Sequence, residues 1–248
     1  MSKKRQETPA SICGFKIEEN RRKKDRIFAL FLAVLGVVVC VISVAVFAGE
    51  ENFAASYDYT IVIDAGHGGI DDGVTGTLTG VKESDLNLAI AFLLKKEFQE
   101  QGFKAVLTRT DKNGLYGVKS PGFKRRDMEK RKEIILENKA NMVISVHMNK
   151  FALSYRNGPQ VFFDGESESS KLLADKMQTA LNKFTGNSHE ALQGDYYILK
   201  CTRSPSVIVE CGFLSNEQDE KNLIKEAYQK QLAAKIVEGA MQYLAGGY

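Results

Sequence analysis

The sequence predicts an α/β fold. It reads as a single layered domain with a mixed, mostly parallel β-sheet flanked by helices, preceded by an N-terminal transmembrane helix. Three observations lead there. Short β-branched runs alternate with segments of helical period from Thr60 to the C-terminus, the pattern of a sheet layered between helices. Two histidines, His67 and His147, follow directly on two of the strand runs, where such sheets place their ligands. Finally, Ile27–Ala48 is a stretch of 22 residues without a charge, and about 20 apolar residues span a bilayer core.

Residues 1–26 form a basic arm with nine Lys/Arg and four acids, which leaves 25 basic against 27 acidic residues for the rest of the 248. The positive charge therefore belongs to the arm, and the body of the chain carries no footprint for nucleic acid. Basic residues before the apolar stretch, and Glu50 and Glu51 after it, set the arm in the cytoplasm and the bulk of the chain outside. Val46-Phe47-Ala48 loosely resembles a signal-peptidase site. The stretch is nevertheless longer than the roughly 7–15 residues of a signal-peptide core, so 27–48 is read as an uncleaved signal anchor and 49–58 as a linker.

The catalytic domain is expected over 59–245. Thr60–Ile63 is a strand that runs into Asp64-Ala65-Gly66-His67-Gly68-Gly69, a turn-former series. Ser84–Gln101 is a helix stopped by Gly102. Ala105–Thr108 is a strand, Lys124–Lys139 a charged helix and Met142–Val146 a buried strand. Val161–Phe163 is a strand and Ser169–Phe184 an amphipathic helix. Tyr196–Lys200 and Ser206–Cys211 are read as a hairpin, with helices over 217–226 and 229–244. The hairpin would hold Cys201 and Cys211 roughly 15 Å apart, beyond the ~7 Å a disulfide tolerates, so no bridge is expected.

Of three histidines in the chain, His189 lies in a polar stretch and reads as a plain surface residue. His67 and His147 at two strand ends, with Glu83 at a helix start between them, make a His₂Glu set. Three protein ligands of these types, with a fourth position open, are what a catalytic zinc ion takes. Glu83 taken alone is equally an acid favoured by the helix dipole. Glu210 ends the apolar run Val207-Ile208-Val209, where a carboxylate is costly to bury. Its functional reading is a general acid/base beside the metal; the alternative is a strand-end acid reaching solvent. The glycines after Thr60–Ile63 lack the order of a dinucleotide-binding loop. The basic cluster Lys124–Lys132 contains Asp127 and Glu129 and reads as a solvated helix face.

The segments Ile63–Gly69, Glu83, Ser145-Val146-His147-Met148-Asn149 and Val209–Asn216 occur in order. Together they resemble the zinc-dependent N-acetylmuramoyl-L-alanine amidases, amidase type 3, over about residues 59–245. The resemblance implies one zinc ion on His67, Glu83 and His147, Glu210 as catalytic glutamate, and Asn149 and Arg131 as cleft-lining or substrate-orienting residues. It implies peptidoglycan as the substrate, cut between the muramic acid lactyl group and L-alanine. The short chain, the anchor and the Gly122–Asp127 stretch are similar to the spore-cortex, germination-specific amidases, which act toward muramic-δ-lactam. Localisation follows as membrane-anchored or secreted with an extracytoplasmic catalytic domain, in the intermembrane space of a forming spore for the cortex role. The rival readings are a zinc carboxypeptidase or endopeptidase of stem peptides, and an inactive membrane-anchored peptidoglycan-binding protein. With no other targeting module in sight, a protein partner for targeting or activation is expected.

Overall fold

In a computed structural model, the described residues are 59–247 together with Leu30, Leu32, Leu35 and Gly36. The arm 1–26, the linker 49–58 and the rest of the 27–48 segment lie outside them. Among the described residues, no helix is long and apolar enough to cross a membrane.

The elements run β1 (Thr60–Ala65), α1 (Glu83–Glu100), β2 (Lys104–Leu107), α2 (Phe123–Glu137), β3 (Met142–Asn149), β4 (Gln160–Phe163), α3 (Glu168–Thr185), β5 (Leu192–Gln193), a 3-10 turn (Tyr197–Lys200), β6 (Ser206–Phe213), α4 (Glu217–Leu223) and α5 (Glu226–Ala245). They build one six-stranded sheet in the order β2-β1-β3-β6-β4-β5. Only the β4–β6 pairing is antiparallel. The mixed, mostly parallel sheet flanked by helices is thus the fold that strand–helix alternation predicts.

The two faces of the sheet are unequal. Ile61, Ile63, Val146, Val207 and Val209 pack with α1, α3 and α5 in one large core. The alternate residues Val62, Val143 and Ile208 face a small cluster made by Ile135 of α2 and by Ile198, Leu199 and Cys201. Period-2 side-chain alternation explains the division. The thinner face is where polar strand residues collect: Asp64 of β1 and Ser145 of β3 sit between Val62, Val143 and the strand ends.

Three expectations need correction. Tyr196–Lys200 is not a strand and forms no hairpin with β6; Tyr197–Lys200 is a 3-10 turn. Consecutive Ile198 and Leu199 both enter the small cluster, which a turn permits and an alternating strand does not. β6, buried at every position but Glu210, finds partners on both sides, β3 and β4, as a central strand must. The cysteines are free, as expected, but for a different reason: Cys201 belongs to the small cluster and Cys211 to the large core, on opposite faces of the sheet. Lastly, β3 and β6 run on to Asn149 and Phe213. His147 therefore lies within a paired strand, not after it, and Glu210 lies inside β6, as the Ser206–Cys211 reading has it.

Candidate metal centre

The site is assembled at the carboxyl ends of β1, β3 and β6. His147 and Glu210 are register partners, and the β3–β6 pairing becomes irregular between His147 and Asn149. His67 follows β1 with φ 60°, a left-handed backbone that costs a non-glycine residue of order 1–3 kcal/mol. Two buried guanidinium groups hold that turn. Arg109 donates from Nε to Ala65 O (2.9 Å) and from Nη2 to Gly66 O (3.0 Å). Arg131 donates from Nη1 to Ala65 O and from Nη2 to His67 O, each at 2.7 Å. Arg109 also reaches Ser84 O at 2.7 Å, which ties the His67 turn to the start of α1, where Glu83 stands.

Glu83 is buried, and its two oxygens divide the work. Oε2 accepts from Val74 N at 2.7 Å. Oε1 lies 2.9 Å from His147 Nδ1 and 3.2 Å from His67 Nε2, and it accepts from Met148 N and Asn87 Nδ2. The loop leading to Glu83 is braced by buried Glu220, which accepts from Leu78 N, Thr79 N and Thr79 Oγ1. Asp71 faces the other nitrogen of His67, 3.1 Å from Nδ1. Carboxylate contact on the second imidazole nitrogen is the arrangement that orients a metal-binding histidine.

Electrostatics follow from these neighbours. Burial pulls the His67 imidazole down, but Asp71 and Glu83 outweigh it and carry it up to about 9. Burial pushes Glu83 up, yet His147 and His67 hold it well below the usual carboxylate range. Glu210 goes the other way. Burial, reinforced by Glu83 and opposed by the histidines, lifts it to about 7. Among the described residues, the buried side-chain polar atoms without a hydrogen-bond partner are Asn87 Oδ1 and Glu210 Oε2. Both are at this site, and a carboxyl titrating near neutrality suits proton transfer in both directions.

One donor atom from each of His67, Glu83 and His147 falls within 4.8 Å of the others. Donors on a tetrahedral ion with bonds of about 2.0–2.2 Å lie roughly 3.4 Å apart, so the set can hold a divalent metal with small adjustments. Asn149 ends β3, and its side-chain Oδ1 accepts from Lys150 N. Arg131 is 1% exposed, and its bonds run to Asp64, Asp127, Ala65 O and His67 O. His189 is half-buried and its Nε2 pairs with Asn157 O at 2.9 Å.

Sequence reasoning missed Asp64, Arg109, Asn87 and Asp71. Asp64 is 2% exposed; it accepts from Arg131, Thr108 and Ser145 at 2.5–2.7 Å. Its signal was in view, a carboxylate inside the run Thr60–Ala65 that is otherwise apolar after Thr60. Burial raises its pKa, but Arg131 and the two hydroxyls outweigh that and hold it near 2. A carboxyl depressed below its ordinary value near 3.9 stabilises the fold above that pH and loses the contribution as pH falls toward 2. In urea unfolding, the penalty of Asp64→Asn is therefore expected to be largest at neutral pH and to shrink between about pH 4 and pH 2. A penalty independent of pH would mean that Asp64 is not held ionised.

An α/β domain with a His-Glu-His cluster able to hold a metal ion and the Glu210 carboxylate close by at its strand ends has the makings of a hydrolase of α/β fold. Comparison narrows the class. The family model described as N-acetylmuramoyl-L-alanine amidase matches residues 61–242, and the chain belongs to that family: it is an enzyme of the peptidoglycan amidase type. It is 30% identical over 188 residues to the germination-specific N-acetylmuramoyl-L-alanine amidase of Bacillus subtilis (strain 168), covering 74% of this chain and 78% of that protein. It is 32% identical over 187 residues to the protein YqiI of the same organism, covering 74% and 84%. Among solved structures it is similar to the CwlD amidase from Clostridioides difficile, determined in complex with the GerS lipoprotein. That match has a TM-score of 0.73 and 37% identity over 76% of this chain and 99% of the other.

Proposed function

We propose that this chain is a zinc-dependent N-acetylmuramoyl-L-alanine amidase of the spore cortex, with the ion held by His67, Glu83 and His147 and with Glu210 as acid/base. The observation that carries the reading is the buried, unpartnered Oε2 of Glu210 beside a convergent His-Glu-His set. A zinc ion there supplies Lewis acidity toward the scissile carbonyl and lowers the pKa of a water. The protein does the rest. Glu210 removes a proton from the attacking water as the new C–O bond forms. It then delivers that proton to the L-alanine nitrogen as the C–N bond breaks, leaving a carboxyl group on the lactyl unit that ionises by giving its proton to the released amine or to solvent. His67 and His147 are kept in place by Asp71, Glu83 and the two arginines.

The cortex role rests on the likeness to the germination-specific amidase. We infer further that 27–48 anchors the chain, that 59–245 acts outside the cytoplasm, and that a protein partner assists it; the relative solved with a lipoprotein bound supports the last point. Asn149 is proposed to line the cleft. Arg131, sealed beneath the His67 turn, is proposed to orient the site and to leave substrate contact to others.

The test is muropeptide analysis of peptidoglycan digested by the full chain with zinc, against His147→Ala. Free lactyl ends and intact stem peptides are expected, with none from the variant. Trimmed stems would make the chain a peptidase. A second expectation concerns Gly66, where an added Cβ would lie 2.3 Å from the His147 ring. Gly66→Ala must turn that ring, and it is expected to weaken zinc at least tenfold in chelator competition with little change in folding. Unchanged affinity would remove His147 from the ligand set.

A further inference from the structure

A pocket adjoins the metal centre on one flank. It measures about 210 Å3 and is lined by Tyr116, Phe123, Met128 and Ile198, along with His67 and His147. Below the roughly 300–1,000 Å3 that accept drug-sized ligands, it has room for a single ring. Tyr116 and Phe123 meet edge to face, with centroids 5.5 Å apart at 78°. The Tyr116 hydroxyl accepts from Ile70 N at 2.9 Å, and its carbonyl accepts from Arg126 Nε at 3.2 Å. The wall is therefore fixed before any ligand arrives, which lowers the cost of binding. Lys124 also lines the pocket; its side chain is 71% exposed and its ammonium lies 3.7 Å from Asp71 Oδ2, which leaves donors for a polar ligand.

The sheet order gives the flank a chemical sense. His67 follows β1, His147 is in β3, and Glu210 is in β6, one strand farther on. The pocket takes most of its residues from the β1 and β3 side and from α2, with Ile198 of the 3-10 turn closing it, and Glu210 is not among its walls. Hydrolysis of an amide must place its nitrogen toward the group that protonates it. With Glu210 in that role, the amine side of the bond points toward β6 and the acyl side points back toward the pocket.

We propose that this pocket is the acyl-side subsite and seats the pyranose ring of the muramic acid residue, with the polarised C–H face of the sugar on the Phe123 ring and Lys124 donating to its oxygens. The stem peptide then leaves the metal centre in the opposite direction, across β6 and β4. This orientation rests on the reading of Glu210 as the proton donor.

Direct binding of the two cleavage products to the full chain, measured without turnover, tests it. The probes are N-acetylmuramic acid and the dipeptide L-alanyl-D-isoglutamine. Phe123→Leu keeps apolar bulk at the start of α2 and removes the ring face. It is expected to weaken N-acetylmuramic acid at least fivefold, to leave the dipeptide within twofold, and to bind metal as the wild type does. Phe123→Tyr, which restores a ring, is expected to recover the sugar affinity. Loss confined to the dipeptide, equal loss of both, no loss of either, or no sugar binding by the wild-type chain would overturn the orientation. Failure of the underlying reading shows elsewhere: full hydrolysis by Glu210→Gln removes the proton donor whatever Phe123 does to binding.

Discussion

Glu210→Gln is expected to bind zinc as the wild-type chain does and to lose between about a hundredfold and ten-thousandfold in kcat, the usual contribution of a positioned general acid/base. That is roughly 3–5 kcal/mol of transition-state stabilisation. The substitution is nearly isosteric and removes only the ability to take up and release a proton. It also removes a buried carboxylate whose Oε2 has no partner in the protein, a group that costs folding free energy where it stands. Thermal stability should therefore hold or rise while turnover collapses. That pairing separates a catalytic carboxylate from a structural one, whose loss would lower both. Steady-state kinetics and a melting curve on the same preparation check it, and a variant that hydrolyses at the wild-type rate would remove Glu210 from the mechanism.

The second large effect is on the fold. Arg131 is 1% exposed and its guanidinium is shared by Asp64 and Asp127, at 2.5 and 2.6 Å. Arg131→Met strands two acids, and removing one member of a buried ion pair costs about 3–5 kcal/mol. For a domain of this size, each kcal/mol shifts Tm by about 2–4 °C, so a fall of roughly 6–20 °C is expected. The double variant Arg131→Met with Asp64→Leu should regain part of it, because the stranded Asp64 charge is gone. The loss should extend to zinc affinity, since the same guanidinium holds the carbonyls of Ala65 and His67. A change of less than about 1 kcal/mol in urea unfolding would mean that solvent replaces Arg131 at no cost, contrary to its burial.

How far the site was legible depended on whether its residues announce themselves locally. His67 between glycines, His147 at the end of an apolar run, and Glu210 after Val207-Ile208-Val209 each break a pattern on the spot. The structure brings His67, Glu83 and His147 to within 4.8 Å. The residues that hold the site in place do not announce themselves. Arg109 reaches Gly66 across 43 positions and Arg131 reaches Asp64 across 67. A charge in a helix of mixed charges, such as Arg131 in α2, looks like its solvated neighbours until tertiary packing covers it.

The fold was legible for the same reason the large core was: β-branched runs and helical periods recur on a regular spacing. The false hairpin arose where periodicity fails. Tyr197-Ile198-Leu199 is apolar enough for a strand, and short apolar runs do not distinguish strand from turn. The length of β3 was underestimated because His147 interrupts the apolar signal, and β6 was read two residues short because Gly212 reads as a strand stop. In both strands the residue that ends the apolar run is one to which the proposed mechanism gives a role.

Diffraction at the zinc absorption edge, from crystals of the chain grown with one equivalent of zinc, tests the central claim most directly. A single anomalous peak is expected about 2.0–2.2 Å from one nitrogen of His67, one nitrogen of His147 and one oxygen of Glu83, with the Glu210 carboxylate nearby and unbound to the ion. A peak elsewhere in the molecule, or ligation by Glu210 in place of Glu83, would contradict it.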